Sequence, residues 1–224
     1  MDEGDLVRRI GAALAADGLI LRGGFAFGDD ERAPAKSVLL VGNAGAAYWR
    51  HFARWRDAQP VGLEDPLDTW SRQVIGGVAE RFGARAVSPS DRPYAPFQQW
   101  AMRAEGLQPS PLGILMHPDY GLWHAFRGAL LFDREIALPA QGNRAHPCNA
   151  CAAKPCLGAC PVDAFSTAGF DHAACRAHVR GPHGPACRER GCLARNACPI
   201  GADHRYPDHV QTFHQRAFVP EAFA

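Results

Sequence analysis

The chain has 224 residues, with 24 Lys and Arg against 23 Asp and Glu, a formal charge of +1, and 47% hydrophobic content. That length suits one large or two modest domains with a real core, and the near-neutral charge leaves no overall footprint for nucleic acid or an anionic surface. No apolar stretch reaches membrane-spanning length, and the acidic start Met1-Asp2-Glu3-Gly4-Asp5 does not resemble a secretory leader.

In chain order, Leu6, Val7, Ile10 and Leu14 recur at helical spacing and stop at Gly18. Leu19–Leu21 and Ser37–Val41 are short apolar runs that suit buried strands. A second helix is expected over Ala46–Asp57, with Trp49, Phe52 and Trp55 in the core. A third begins with Asp65 as N-cap and Pro66 at the first helical position, then presents Leu67, Trp70, Val74, Val78 and Phe82 before Gly83. Arg85–Val87 reads as a strand, and Ser88–Pro96, with three prolines, as a loop. A helix follows around Phe97–Glu105, ending at Gly106, then a long strand over Leu122–Phe132. Asp133–Ala145, with Pro139 and Gly142, reads as a linker. At the far end a packing helix is expected over Pro207–Phe218, with Val210, Phe213 and Ala217 inward.

All eight cysteines fall between Cys148 and Cys198. The first group runs Cys148-x2-Cys151-x4-Cys156-x3-Cys160-Pro161, longer in the middle than the bacterial ferredoxin pattern. The second comprises Cys175 and then Cys187-x4-Cys192-x5-Cys198-Pro199. Both end in Cys-Pro, and in two-cluster ferredoxins that last cysteine ligates the other cluster. Transferred here, Cys148, Cys151, Cys156 and Cys198 hold one [4Fe-4S] cluster, and Cys160, Cys175, Cys187 and Cys192 the other. Small residues beside the ligands (Ala150, Ala152, Gly158, Ala159) let backbone N–H groups approach sulfide, and Pro161 and Pro199 redirect the chain.

Disulfides, structural zinc and a single cluster with Cys175 as a buried thiol are the competing readings. Free clustered thiols without a leader point to a reducing cytoplasm. Lys154, Arg176, Arg180, Arg188, Arg190 and Arg195 outnumber Asp163, Asp171 and Glu189 in this segment. Because each oxidised cluster with four thiolates carries about −2, charge compensation explains that excess better than RNA binding does. The histidines near the cysteines and in the tail repeat no Cys-His finger pattern.

From about Ser37 to Pro199 the order of elements, followed by a double Cys-Pro module, resembles the epoxyqueuosine reductase family, cobalamin-dependent iron-sulfur enzymes. The stretch His117-Pro118-Asp119-Tyr120-Gly121-Leu122-Trp123-His124-Ala125-Phe126-Arg127 is more similar to the cobalamin-processing (cyanocobalamin decyanase and dealkylase) family, where His-Pro-x-aromatic-Gly-x-Trp-x-x-x-Arg precedes an apolar strand. Departures are plain: only residues 199–224 follow the last cysteine, no Gly-Leu-Gly-x-x-Gly-Lys follows Leu107, and Asp91, near the position of the reductase acid, sits in different local sequence. A tRNA-modifying activity is therefore not expected.

The resemblance implies an α+β fold: a nitroreductase- or corrinoid-binding-like mixed domain (1–140), a small helical ferredoxin-like double-cluster module (141–205) and a helical tail (206–224). A corrin needs a broad, largely apolar pocket with a few polar groups at its rim. Tyr94, Phe97, Trp100, Tyr120, Trp123 and Phe126 are candidate walls, with His117 and Arg127 as polar contacts. Each also has an ordinary explanation: the aromatics as core, His117 capping a turn, Arg127 pairing with an acid across the sheet. The expected function is delivery of single electrons from an external donor (flavodoxin, ferredoxin or reductase) to a bound corrinoid such as cobalamin. The alternative is a non-enzymatic electron carrier.

Overall fold

The computed structural model describes residues 3–138 and 144–223; Pro139 and Gly142 of the expected linker lie outside the described residues. The elements run α1 (Glu3–Ala15), β1 (Ile20–Ala26), β2 (Ser37–Ala44), α2 (Trp49–Asp57), α3 (Pro66–Phe82), β3 (Arg85–Val87), α4 (Phe97–Glu105), β4 (Gln108–Pro109), β5 (Leu115–Met116) and β6 (His124–Phe132). The cysteine-bearing segment adds α5 (Pro147–Ala150), α6 (Pro155–Gly158), β7 (Phe165–Ser166), β8 (Gly169–Phe170), α7 (His172–Arg180), α8 (Pro185–Arg190) and α9 (Leu193–Asn196), and α10 (Asp208–Phe218) follows. The fold is mixed α+β. Two compact units form: one from the chain up to Leu107 plus the segment from His124 to the linker, the other from Gln108–Trp123 plus everything after Arg144.

In the first unit β1, β2, β6 and β3 make an antiparallel sheet in that order. The apolar run from Ser37 to Val41 lands on the central strand β2, which is buried from Ser37 through Asn43. Central position explains why it does not alternate: both faces are covered. Ser37 remains compatible with burial because its hydroxyl accepts the Ile136 N–H at 2.9 Å. Helices α1 and α3 bury Ile10, Leu14, Trp70, Ile75 and Phe82 in the core of this unit.

Several local expectations need correction. Asp65 precedes α3 in a left-handed conformation (φ 44°) and makes no side-chain cap, so Pro66 alone carries the start signal. On α3 the deeply buried residue is Ile75 rather than Val74. Phe52 is fully buried, whereas Trp49 and Trp55 are half-buried; Trp55 spends its indole N–H on Gln73. Arg127 does not meet an acid: its Nε donates to Asn43 Oδ1 at 3.1 Å, and its guanidinium sits 5.3 Å from the Tyr48 ring centre. On α10 the inward residues are Val210 and Gln211, while Ala217 is exposed.

A buried ion pair went unread. Arg22, 1% exposed, donates through Nε (2.9 Å) and Nη2 (2.7 Å) to the Glu105 carboxylate and lies over the Phe126 ring. Removing one member leaves the other charge buried without its counter-ion. Arg22→Met is therefore expected to cost about 3–5 kcal/mol in chemical denaturation, far more than breaking an exposed pair such as Arg103–Glu31.

The second unit is built mainly of short helices, with two small antiparallel pairs, β4–β5 and β7–β8. Leu112, Met116, Leu122, Cys156, Ala194 and Cys198 form one apolar cluster, and Val179, Cys187 and Val219 another. Gln211, nearly fully buried, ties α10 to α9: its Nε2 donates to Tyr206 O (2.9 Å) and Asn196 Oδ1 (3.1 Å), and its Oε1 accepts from Asn196 Nδ2 (3.0 Å). No helix among the described residues is long and apolar enough to cross a membrane.

Candidate metal centre

Cys148, Cys151, Cys156, Cys160, Cys192 and Cys198 lie in or beside the four-residue helices α5, α6 and α9, Cys175 lies inside the nine-residue α7, and Cys187 inside α8. Pro147, Pro155 and Pro185 begin α5, α6 and α8, each at a position where the missing N–H costs nothing. Left-handed Lys154 (φ 39°) and Asp163 (φ 47°) turn the chain between cysteines. Gly158 faces open space, so packing does not require its small size.

Two hollows result. The first is lined by Cys148, Cys151, Cys156 and Cys198, with Leu112, Met116 and Leu122 among its apolar walls. Its volume is about 360 Å³, counting space open to solvent. The second is lined by Cys160, Cys175, Cys187 and Cys192 and is larger, about 1040 Å³ counted the same way. Each hollow gathers four thiols, and Cys160 and Cys198 each join the set remote from their nearest cysteine neighbours in sequence. His178 and His214 also line the second hollow, which spacing did not single out.

All eight cysteines are free thiols, which removes the disulfide reading. Burial raises the thiol of Cys148, and neighbouring Cys198, Cys156 and Cys151 raise it further. Burial pushes Cys175 up to about 11, reinforced by Cys192, Cys160 and Cys187. Crowded, buried thiols hold their protons until a cation displaces them, so occupation by metal releases protons. Among the described residues no group of three or more His, Cys, Asp or Glu side chains converges closely enough to hold a single metal ion.

The candidate corrin contacts divide between the units. In the first, Tyr94 and Trp100 line a cavity of about 680 Å³ together with Phe25, Phe27 and Arg103. Phe97 is buried and packs on Trp100 at 5.4 Å. Tyr94 is 64% exposed, the aromatic of this wall most open to a ligand. Arg127, on β6, is not among the residues of that wall. Asp91 closes the proline-rich loop by accepting the Ser88 N–H (2.7 Å) and pairing with Arg72 (3.1 Å).

In the second unit His117 caps a turn: Nδ1 accepts the N–H groups of Asp119 (3.0 Å) and Tyr120 (3.1 Å), and the ring stacks on Tyr120 at 4.1 Å. The neutral ring therefore carries its proton on Nε2. Arg144 grips Asp119 with two hydrogen bonds and holds its carboxyl below the usual range. Trp123 is fully buried, 5.4 Å from Tyr206.

The fold is similar to that of a solved protein from C. elegans. That structure is the B12-trafficking protein CblC, a homologue of human MMACHC; it shares 13% identity, covers 97% of each chain and superposes with a TM-score of 0.52. At that identity the likeness concerns the fold. No family model matches the chain, and no curated protein matches it.

Proposed function

We propose that this chain is an iron-sulfur protein that binds two [4Fe-4S] clusters and delivers single electrons to a corrinoid, for reduction of its cobalt or removal of its upper ligand. The observation that carries the reading is the sorting of eight free thiols into two hollows of four, each completed by a Cys-Pro cysteine from the other sequence group. A single zinc ion would need its ligands within about 2.3 Å of one point, whereas these thiols stand around the walls of a space. A polyatomic cluster suits that arrangement, and bound clusters would supply one-electron transfer. Apolar walls and backbone N–H groups aimed at sulfur fit the same group. Cys160 accepts the Ala164 N–H at 3.3 Å.

The corrinoid part of the reading is supported by the fold shared with a B12-trafficking protein and by the aromatic cavity of the first unit. Tyr94 and Trp100 would bind and orient the ligand there, with Phe97 holding Trp100 in place. Adding hydroxocobalamin to the purified chain is expected to change the corrin spectrum saturably. Tyr94→Ala removes an exposed ring, so it should leave the fold intact and weaken binding about tenfold. An unchanged spectrum would contradict corrinoid binding and leave the electron-carrier alternative.

A further inference from the structure

The two thiol sites are not equivalent. Adding an electron to a cluster adds negative charge, so fixed cations, N–H donors to sulfur and water access all raise its potential. At the site of Cys160, Cys175, Cys187 and Cys192, the Ala164 N–H donates to Cys160 at 3.3 Å.

Charge separates the sites more clearly. Arg195 lines the second hollow and is half-buried. Its Nε (3.1 Å) and Nη2 both donate to Leu122 O, and its guanidinium lies 4.3 Å from the Trp123 ring centre and 4.9 Å from that of Tyr206. Two aromatic faces and a carbonyl thus pin the charge in place. Arg188, beside Cys187, donates to two carbonyls, Val179 O and Gly181 O. The cations nearest the first site, Lys154 and Arg205, are exposed and screened by solvent.

We propose that the cluster held by Cys160, Cys175, Cys187 and Cys192 has the higher reduction potential of the two, and that Arg195 sets much of the difference. This rests on the two-cluster reading above. The test is a redox titration of the anaerobically purified chain followed by electron paramagnetic resonance. Two one-electron steps are expected, and the higher should disappear in Cys175→Ala. Arg195→Gln should lower that step alone, by about tenfold in the ratio of reduced to oxidised cluster at fixed potential, or about 59 mV. Arg195→Lys, which keeps the charge but not the planar fork, should retain most of it; a purely structural role would fail in both variants. The proposal is overturned if Cys175→Ala removes the lower step, or if Arg195→Gln keeps its iron and shifts the lower step, both steps equally, or neither. Should Arg195→Gln lose its iron, the Cys175→Ala result and the retained step in Arg195→Lys decide. A wild-type chain without iron is a different failure, that of the two-cluster reading itself.

Discussion

Replacing Cys160 with alanine is expected to damage the centre shared with Cys175, Cys187 and Cys192, and to spare the one built by its closer sequence neighbours Cys148, Cys151 and Cys156. The reason is the crossing of the Cys-Pro cysteines between hollows. Iron should fall from about eight to about four per chain, with one of two resonance signals lost. Cys198→Ala should have the reciprocal effect, removing the signal that Cys160→Ala leaves. A linear arrangement, in which each sequence group serves its own cluster, predicts the opposite pairing of losses.

Alanine at Gly121 is the second large expected effect. Gly121 (φ +58°) and Gly201 (φ +67°) pass backbone against backbone: a Cβ on Gly121 would lie 1.9 Å from Ile200 O, and one on Gly201 2.3 Å from the Tyr120 carbonyl carbon. Neither neighbour is a flexible side chain that could swing aside. The left-handed conformation alone costs an L-residue about 1–2 kcal/mol, and the collision brings the total to about 2–4 kcal/mol. Because Ile200 follows Cys198 by two residues and lines the first hollow with it, Gly121→Ala should also loosen a cluster bound there. Faster loss of iron from that site to a chelator, with the other site unaffected, is the expected readout. Alanine at Gly62, left-handed but in open space, provides a control that carries the conformational cost without the collision.

Much of the first unit is legible residue by residue. Pro66 and Gly83 bracket α3, the run Ser37–Val41 marks a strand covered on both faces, and Arg85–Val87 is a strand at the expected positions. These features are local, and local chemistry writes them into the sequence. Helix faces were less legible: Trp49, Trp55 and Val74 have the spacing of core residues, yet a neighbouring element decides which side of a helix is covered.

Long-range contacts were not legible at all. Nothing near Arg22 signals Glu105, 83 positions away. Nothing near Leu112, Met116 and Leu122 announces that they pack against Cys156 and Cys198. For His117 the turn-capping expectation is met: its Nδ1 accepts two backbone N–H groups. The grouping of the cysteines was the most legible feature of the candidate site: the two sets of four drawn from the Cys-Pro pattern line two separate hollows. The placement of Arg195 was hidden because its partners, Leu122 and Trp123, are distant in sequence.

The most direct test is a count of iron and acid-labile sulfide in the chain purified without oxygen. Two cubanes predict a brown protein with about eight of each per chain. A colourless protein with neither, or one carrying stoichiometric zinc instead, would contradict the account.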